Sequence, residues 1–90
     1  MVKQKVKQKK DIKEALVSLH DLVLFNDEVN TFDFVIETLI EVCDHDALQA
    51  EQCTLIVHFK GKCAVKRGNF NDLKPKHDEM SKRGLTVSIE

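Results

Sequence analysis

The stretch LVLFNDEVNTFDFVIETLIEV, from Leu22 to Val42, contains the two segments that decide the fold. It opens with four apolar residues, and a short apolar run bounded by polar residues predicts a buried β-strand. The run stops abruptly at the amide and two acids of residues 26–28. After this polar gap, the apolar residues return at intervals of three and four, which predicts an α-helix. A turn needs only one such polar residue, so the cluster is a candidate for a functional role.

The predicted helix after the gap has clear start signals. Either Asn30 or Thr31 can serve as its N-cap, and Asp33 suits the positive end of the helix dipole. Its apolar positions recur without interruption, at Phe32, Val35, Ile36, Leu39, Ile40 and Cys43. This stripe predicts one helix face packed on a core.

A second helix is predicted over ALQAEQCTLIVHFK. Asp44 or Asp46 can begin it, and Gly61 is a natural C-cap. The next segment, KCAVKRG, alternates and places Cys63 and Val65 on one face, as in a strand.

A third helix is predicted over DLKPKHDEMSKR, opened by Asn69 or Asn71 and ended by Gly84. Pro75 is best tolerated in a first turn, which favours a start near Asn71. The segment LTVSIE then alternates as a strand. The predicted order is β-α-α-β-α-β, an α+β fold with a small three-stranded antiparallel sheet and three helices on one face.

The first ten residues, MVKQKVKQKK, hold five lysines and no acid, whereas residues 11–90 carry a net charge of −6. We interpret residues 1–20 as a flexible basic N-terminal extension and residues 21–90 as the folded core. Apolar residues recur at helical spacing over residues 12–19, which fits either a short unstable helix or a segment that folds back. The extension lacks aromatic residues and arginine, so no nucleic-acid partner is expected.

No apolar window approaches the length of a membrane span, and no signal-peptide core follows the basic residues. A cytoplasmic location without a membrane partner is therefore expected. The three cysteines, Cys43, Cys53 and Cys63, lie ten residues apart, which is unlike a zinc motif. We expect reduced thiols, no metal and no cofactor.

The sequence does not predict an enzyme. It contains no glycine-rich phosphate loop and no nucleophile motif. Cys53 and His58 share a predicted helix, but five residues of separation point their side chains apart. His58 has two readings: a residue that interacts with the helix C-terminus, or a ligand-binding residue on the same face as Thr54.

The motifs VLFNDEVNTFDFVIETL, HD…QAEQ…LIVHFKGKCAV and GLTVSIE together closely resemble ClpS, the adaptor of the Clp AAA+ protease machines. The resemblance covers residues 22–90. It implies a non-catalytic adaptor that binds substrates with a bulky hydrophobic N-terminal residue, an N-degron, and delivers them to a Clp unfoldase–protease for degradation. The implied partners are N-degron-bearing proteins and the N-terminal domain of a ClpA- or ClpC-like unfoldase, with the adaptor itself a monomer.

The resemblance also implies roles for individual residues. Asn26, Asp27 and His58 would bind the α-amino group of the substrate. The hydrophobic pocket would be formed by Phe32, Val35, Thr54, Val57 and Leu85, with Glu28 and Asn30 at its rim. Family members often carry Thr at the position of Asn30, and Met at those of Phe32 and Thr54, so the preferred N-terminal residue stays open. The alternative is an interaction module of the same fold that has lost N-degron binding.

Overall fold

The computed structural model describes residues 18–90. Residues 1–17 of the proposed basic extension 1–20, and with them most of the apolar-spaced segment over residues 12–19, lie outside the described residues. The described chain forms six elements in the predicted order: β1 (Leu19–Phe25), α1 (Phe32–Cys43), α2 (Ala47–Lys60), β2 (Lys62–Asn69), α3 (Phe70–Lys82) and β3 (Thr86–Ile89). The predicted α+β fold is thereby confirmed.

The three strands form one antiparallel sheet in the order β2-β1-β3. The apolar run quoted above supplies the central strand, and its Leu22 and Leu24 are buried. The pairing of β1 with β2 shifts in register, because Leu22 lies opposite Lys66 whereas Val23 lies opposite Ala64. Val65 is therefore the extra residue of a β-bulge, and its backbone groups need partners outside the ladder.

Each helix begins with a side chain that accepts a hydrogen bond from the first turn. Thr31 caps α1 through Phe34 N at 3.1 Å. Asp46 caps α2 through Gln49 N at 2.7 Å. Gly61 ends α2 at φ 93°, a left-handed conformation that favours glycine. Two alternative N-caps were predicted for each of these helices, and the structure shows Thr31 for α1 and Asp46 for α2.

The preferred start of the third helix was wrong. The helix begins at Phe70, and Asn69 caps it by accepting from Asp72 N at 3.0 Å. Pro75 is consequently the sixth helical residue, beyond the first turn. Its missing N–H leaves the carbonyl of Asn71 without a helical donor, but both residues lie on an exposed stretch where water can take that place. The Asn69 cap outweighs this local cost.

The core lies between the sheet and the inner faces of the helices. It contains Leu22, Leu24, Leu39, Cys43, Ala50, Val57, Val65, Leu73, Met80 and Leu85. The buried face of α1 is shifted from the predicted stripe, since Phe32 and Ile40 are 43% and 39% exposed whereas Thr38 is fully buried. The first turn of α1 is therefore left open for another role.

Residues 44–46, which we term the helix junction, connect α1 to α2. Asp44 adopts a left-handed conformation with φ 59°, which turns the chain sharply. His45 is 4% exposed, and its Nε2 lies 2.6 Å from the carbonyl oxygen of Val65. A carbonyl can only accept, so Nε2 carries the hydrogen. The helix junction thus satisfies the carbonyl of the bulge residue.

Two further observations bear on the predictions. Across residues 18–90, no helix has the length and apolar character needed to cross a membrane. All three cysteines are free thiols, and burial is the main factor that raises the pKa of Cys43 and of Cys53 to about 11.

Candidate functional site

A cavity of about 310 Å³ opens where the end of β1, the first turns of α1, the last turns of α2 and the start of the β3 segment meet. We call residues 26–31, between β1 and α1, the mouth loop. The structure brings every site residue selected from the sequence to this cavity: Asn26, Asp27, Glu28, Asn30, Phe32, Val35, Thr54, Val57, His58 and Leu85. None of the ten lies elsewhere.

Sequence reasoning missed three lining residues, namely Leu24, Phe25 and Thr31. Leu24 and Phe25 were assigned to the buried strand and Thr31 to the helix cap, and they hold those positions as well. The signal that could have found two of them was their position next to a predicted site residue in the sequence. Phe25 and Thr31 directly precede the site residues Asn26 and Phe32, so the backbone carries them to the same cavity.

Asp27 organises the mouth loop. Its Oδ1 accepts hydrogen bonds from Val29 N at 2.9 Å and Asn30 N at 2.8 Å, and its Oδ2 accepts from Asn30 Nδ2 at 2.9 Å. Each carboxylate oxygen offers about two lone-pair sites. Oδ1 is therefore fully used, and one site on Oδ2 is left for another donor.

The same contacts set the charge of this carboxylate. Partial burial acts to raise the pKa of Asp27, but the hydrogen bonds from Asn30 and Val29 outweigh it and hold the pKa below the ordinary aspartate value. These donors favour the ionised form because they bond to it directly. At neutral pH the mouth loop therefore carries a fixed negative charge beside the cavity.

Asn30 ties the mouth loop to a distant part of the chain. Besides its bond to Asp27, its Nδ2 donates to the carbonyl oxygen of Gly84 at 3.0 Å, across 54 positions of sequence. Gly84 precedes Leu85, which lines the cavity. Asn30 thus fixes the distance between two sides of the cavity, a role that its placement at the rim did not anticipate.

The inner part of the cavity is apolar. Val57 and Leu85 are each 5% exposed, and Leu24, which also lines the cavity, is 1% exposed. Thr54 is also buried, and its hydroxyl donates to the Ala50 carbonyl one turn earlier at 2.8 Å. The hydroxyl hydrogen of Thr54 is therefore used within the helix and is not free to donate to a ligand.

The outer part of the cavity holds aromatic and polar groups. The ring of His58 meets the ring of Phe32 edge to face, with centroids 5.1 Å apart. Asn26 is positioned near the same helix end, since its backbone N donates to the Gly61 carbonyl at 2.9 Å. Asn26 and His58 thus approach the cavity from two neighbouring backbone segments.

The arrangement suits a ligand that combines a cation with an apolar group. Side-chain acceptors at the opening, on Asn26, Asp27, Glu28 and His58, can take the N–H groups of an ammonium. The apolar interior can take an attached hydrocarbon group. Residues 18–90 contain no group of three His, Cys, Asp or Glu side chains arranged to hold a metal ion.

An α+β domain with a cavity of this polarity is compatible with a peptide-binding module, and comparison with known proteins specifies the family. The sequence profile of the family described as "ATP-dependent Clp protease adaptor protein ClpS" matches residues 16–88. The chain belongs to the ClpS family. Membership of this family of adaptors supports the prediction that the chain is not an enzyme.

Individual ClpS proteins are also similar to this chain in sequence. ClpS adapter proteins of Cronobacter sakazakii and Acetivibrio thermocellus are each 37% identical, over 59 and 60 residues. These matches cover 61% and 67% of this chain but only 56% and 61% of the two relatives. The chain therefore spans little more than half the length of these relatives.

A solved structure shares the fold. Agrobacterium tumefaciens ClpS2 bound to L-phenylalaninamide superposes with a TM-score of 0.70 at 20% identity, covering 81% of this chain and 95% of that one. At this identity, the likeness concerns the fold alone.

Proposed function

We propose that this protein is an N-degron adaptor, which binds proteins by a bulky hydrophobic N-terminal residue and delivers them to a Clp AAA+ unfoldase–protease. One observation carries the proposal: ten residues chosen from the sequence for this task line a single cavity with an acidic, hydrogen-bonding opening and an apolar interior. L-phenylalaninamide, the ligand bound to the related ClpS2, has a free α-amino group and a benzyl side chain, which fits the same pair of requirements.

The proposed roles follow from the contacts. Asn26 and His58 accept hydrogen bonds from the α-amino group, with His58 in its neutral form. Asp27 contributes mainly its charge, because most of its acceptor sites are used within the mouth loop. Glu28 also lines the cavity, and its carboxylate forms no hydrogen bond or ion pair within residues 18–90. We therefore assign Glu28, first placed at the rim, a direct part in attracting the ammonium.

The expected affinity is moderate. Each hydrogen bond to the charged ammonium is worth about 1.5–3 kcal/mol. Burial of a Leu or Phe side chain adds about 1.5–3 kcal/mol. Two such hydrogen bonds and the side chain reach roughly 5–9 kcal/mol, which corresponds at the upper end to micromolar dissociation constants.

Acetylation of the peptide N-terminus tests the proposal. It removes the positive charge and two donors and leaves the side chain unchanged. Two fluorescently labelled peptides that begin with Phe and differ only in acetylation are titrated with the protein by fluorescence anisotropy. We expect binding of the free peptide and a loss of at least about 100-fold on acetylation, since two charge-assisted hydrogen bonds are removed. Equal binding of both peptides overturns the proposal and favours an interaction module without N-degron recognition.

A panel of free peptides beginning with Phe, Leu, Tyr, Trp or Met then defines the preferred residue. Phe32 and Thr54 are the positions from which the preference is expected to depart from that of other members. The proposed protease partner is a ClpA- or ClpC-like unfoldase, engaged through its N-terminal domain. Degradation of a reporter with an N-terminal Phe by the cognate unfoldase and peptidase, with and without the adaptor, tests delivery.

A further inference from the structure

Three aromatic rings connect the cavity to the outer surface. Phe32 and His58 line the cavity, and their ring centroids are 5.1 Å apart. His58 also meets the ring of Phe59, with centroids 5.0 Å apart and planes at 78°. Phe59 itself does not line the cavity and is 78% exposed. The series therefore begins at the cavity and ends on a phenyl ring that faces solvent.

The surroundings of Phe59 distinguish it from other exposed apolar residues. A scattered exposed apolar side chain needs no explanation. Phe59, however, directly follows the one histidine that lines the cavity, and its ring meets that imidazole edge to face, which places it next to the opening. Leu48, on the first turn of the same helix, is 65% exposed and is not near the cavity lining. Exposure alone therefore does not single out Phe59, but its contact with His58 does.

We infer that Phe59 contacts the side chain of the second residue of the bound protein and makes the adaptor prefer an apolar or aromatic residue there. The inference rests on the proposed function, since it requires an N-terminus bound in the cavity. It adds a second point of selection, outside the cavity, to the selection of the first residue inside it.

The distances support this assignment. Consecutive Cα atoms of a peptide lie 3.8 Å apart, and successive side chains of an extended chain point to opposite sides. When the first side chain points into the cavity, the second points away from it. If the α-amino group is bound at His58, the second Cα, where the second side chain begins, lies within roughly 5 Å of the ammonium nitrogen. The Phe59 ring lies at a comparable distance, 5.0 Å from the His58 ring.

The chemistry of the contact is selective. A phenyl ring offers apolar area and prefers an offset or edge-to-face partner, so Phe or Leu gains more from it than Ala. Because the ring is solvent-exposed, the contact is only partly desolvated and the preference should be modest. We expect a three- to tenfold difference in affinity between an aromatic and an alanine second residue.

The test uses two free peptides, Leu-Phe and Leu-Ala at their first two positions and otherwise identical, together with their acetylated forms. Binding is measured for the parent protein, for Phe59→Ala and for the matched control Leu48→Ala. Leu48 lies eleven residues earlier on α2, about 16 Å along the helix axis. The parent should bind Leu-Phe three- to tenfold more tightly than Leu-Ala. Phe59→Ala should reduce this ratio to within twofold of unity, and Leu48→Ala should retain it.

The experiment distinguishes failure of this inference from failure of the proposed function. If the parent binds both free peptides but without a preference, or if the preference survives in Phe59→Ala, the inference is overturned while the proposed function stands. If neither free peptide binds, or acetylated and free forms bind alike, the proposed function fails and the inference fails with it. A thermal melt of each variant confirms that the exposed substitutions leave the fold intact.

Discussion

The mouth loop and the helix junction are similar in polar composition, but their side chains face different surroundings. Each is a short polar segment, with NDEVNT in one and DHD in the other, that interrupts two apolar elements. The mouth loop directs polar groups toward an open cavity. The helix junction instead turns a histidine inward to a backbone carbonyl. Polar composition alone therefore does not identify a site; what matters is whether the polar side chains line a cavity that is open to a ligand.

The two histidines make the contrast concrete. His45 is 4% exposed and hydrogen-bonded to a bulged strand, whereas His58 is exposed and contacts two phenyl rings beside the cavity. If the contrast is correct, replacing His45 should affect stability, and replacing His58 should affect binding. Four predictions test this contrast between the helix junction and the residues of the cavity, in order of decreasing expected effect.

The largest effect is expected from His45→Ala. The substitution removes the donor that satisfies the Val65 carbonyl and leaves a cavity in the core. A buried unsatisfied polar group costs about 1–3 kcal/mol, and the lost packing adds to it. We expect a decrease of about 2–4 kcal/mol in the free energy of unfolding, measured by urea denaturation. His77→Ala is the control and should change little, since the polar contact of this half-buried side chain is to the exposed neighbouring Asp78, at 3.0 Å. A His45 variant as stable as the parent would remove the basis of the contrast.

The next effect is expected from His58→Ala, in binding rather than stability. Loss of one acceptor of a charged hydrogen bond costs about 1.5–3 kcal/mol, or roughly 10- to 100-fold in affinity for a Phe-first peptide. Anisotropy titrations measure this, and urea denaturation should give nearly the parent stability. Unchanged affinity at pH 7.5 would mean that His58 is only a helix-end residue.

The pH dependence of the same binding sharpens the assignment. Histidine is the side chain that ordinarily changes charge between about pH 5 and 8, and only its neutral form accepts from an ammonium. Protons therefore compete with the peptide, and the affinity of the parent should fall in mild acid. The peptide α-amino group, with a free pKa of about 7.7–8.0, must stay charged, so affinity should also fall at high pH. His58→Ala should remove most of the acid limb, whereas His20→Ala and His77→Ala should keep it.

The smallest effect is expected from Asp27→Ala, which removes the acceptor of three hydrogen bonds in a partly exposed loop. We expect a loss of about 1–2 kcal/mol in stability, together with weaker peptide binding. The pH dependence has a definite sign because the folded pKa of Asp27 is lowered. Its stabilising contribution is complete above the ordinary value near pH 3.9 and is lost as the pH falls through the folded value. Acid denaturation of the parent and the variant should therefore converge at low pH; parallel curves would contradict this role.

Local patterns were sufficient to predict the element order. Each of these patterns reflects the conformation of a few neighbouring residues. Examples are the apolar run before Asn26, the helical stripe after Thr31 and the glycine after Lys60. Most residues that line the cavity were also predicted, because the resemblance to ClpS assigned residues of distant segments to one binding site. The roles of those residues stay predictions.

Features that depend on two distant segments were not predicted. The burial of His45 requires the bulge at Val65, which appears only when β1 and β2 pair. The link from Asn30 to Gly84 likewise joins parts of the chain that no short pattern compares. The start of α3 was misplaced for a different, local reason, since the rule for Pro75 was given more weight than the Asn69 cap, which was the alternative start.

The link between Asn30 and Gly84 has a consequence for the biogenesis of the domain. The mouth loop is synthesised early, but the acceptor of its Asn30 and the cavity residue Leu85 come 54 and 55 positions later. β3 must also emerge from the ribosome before it can pair with the free edge of β1. A nascent chain that ends within α3 therefore has the mouth loop but not the enclosed cavity. If the cavity binds an N-terminus as proposed, the nascent chain cannot form the complete binding site until residues 84 and 85 have been synthesised.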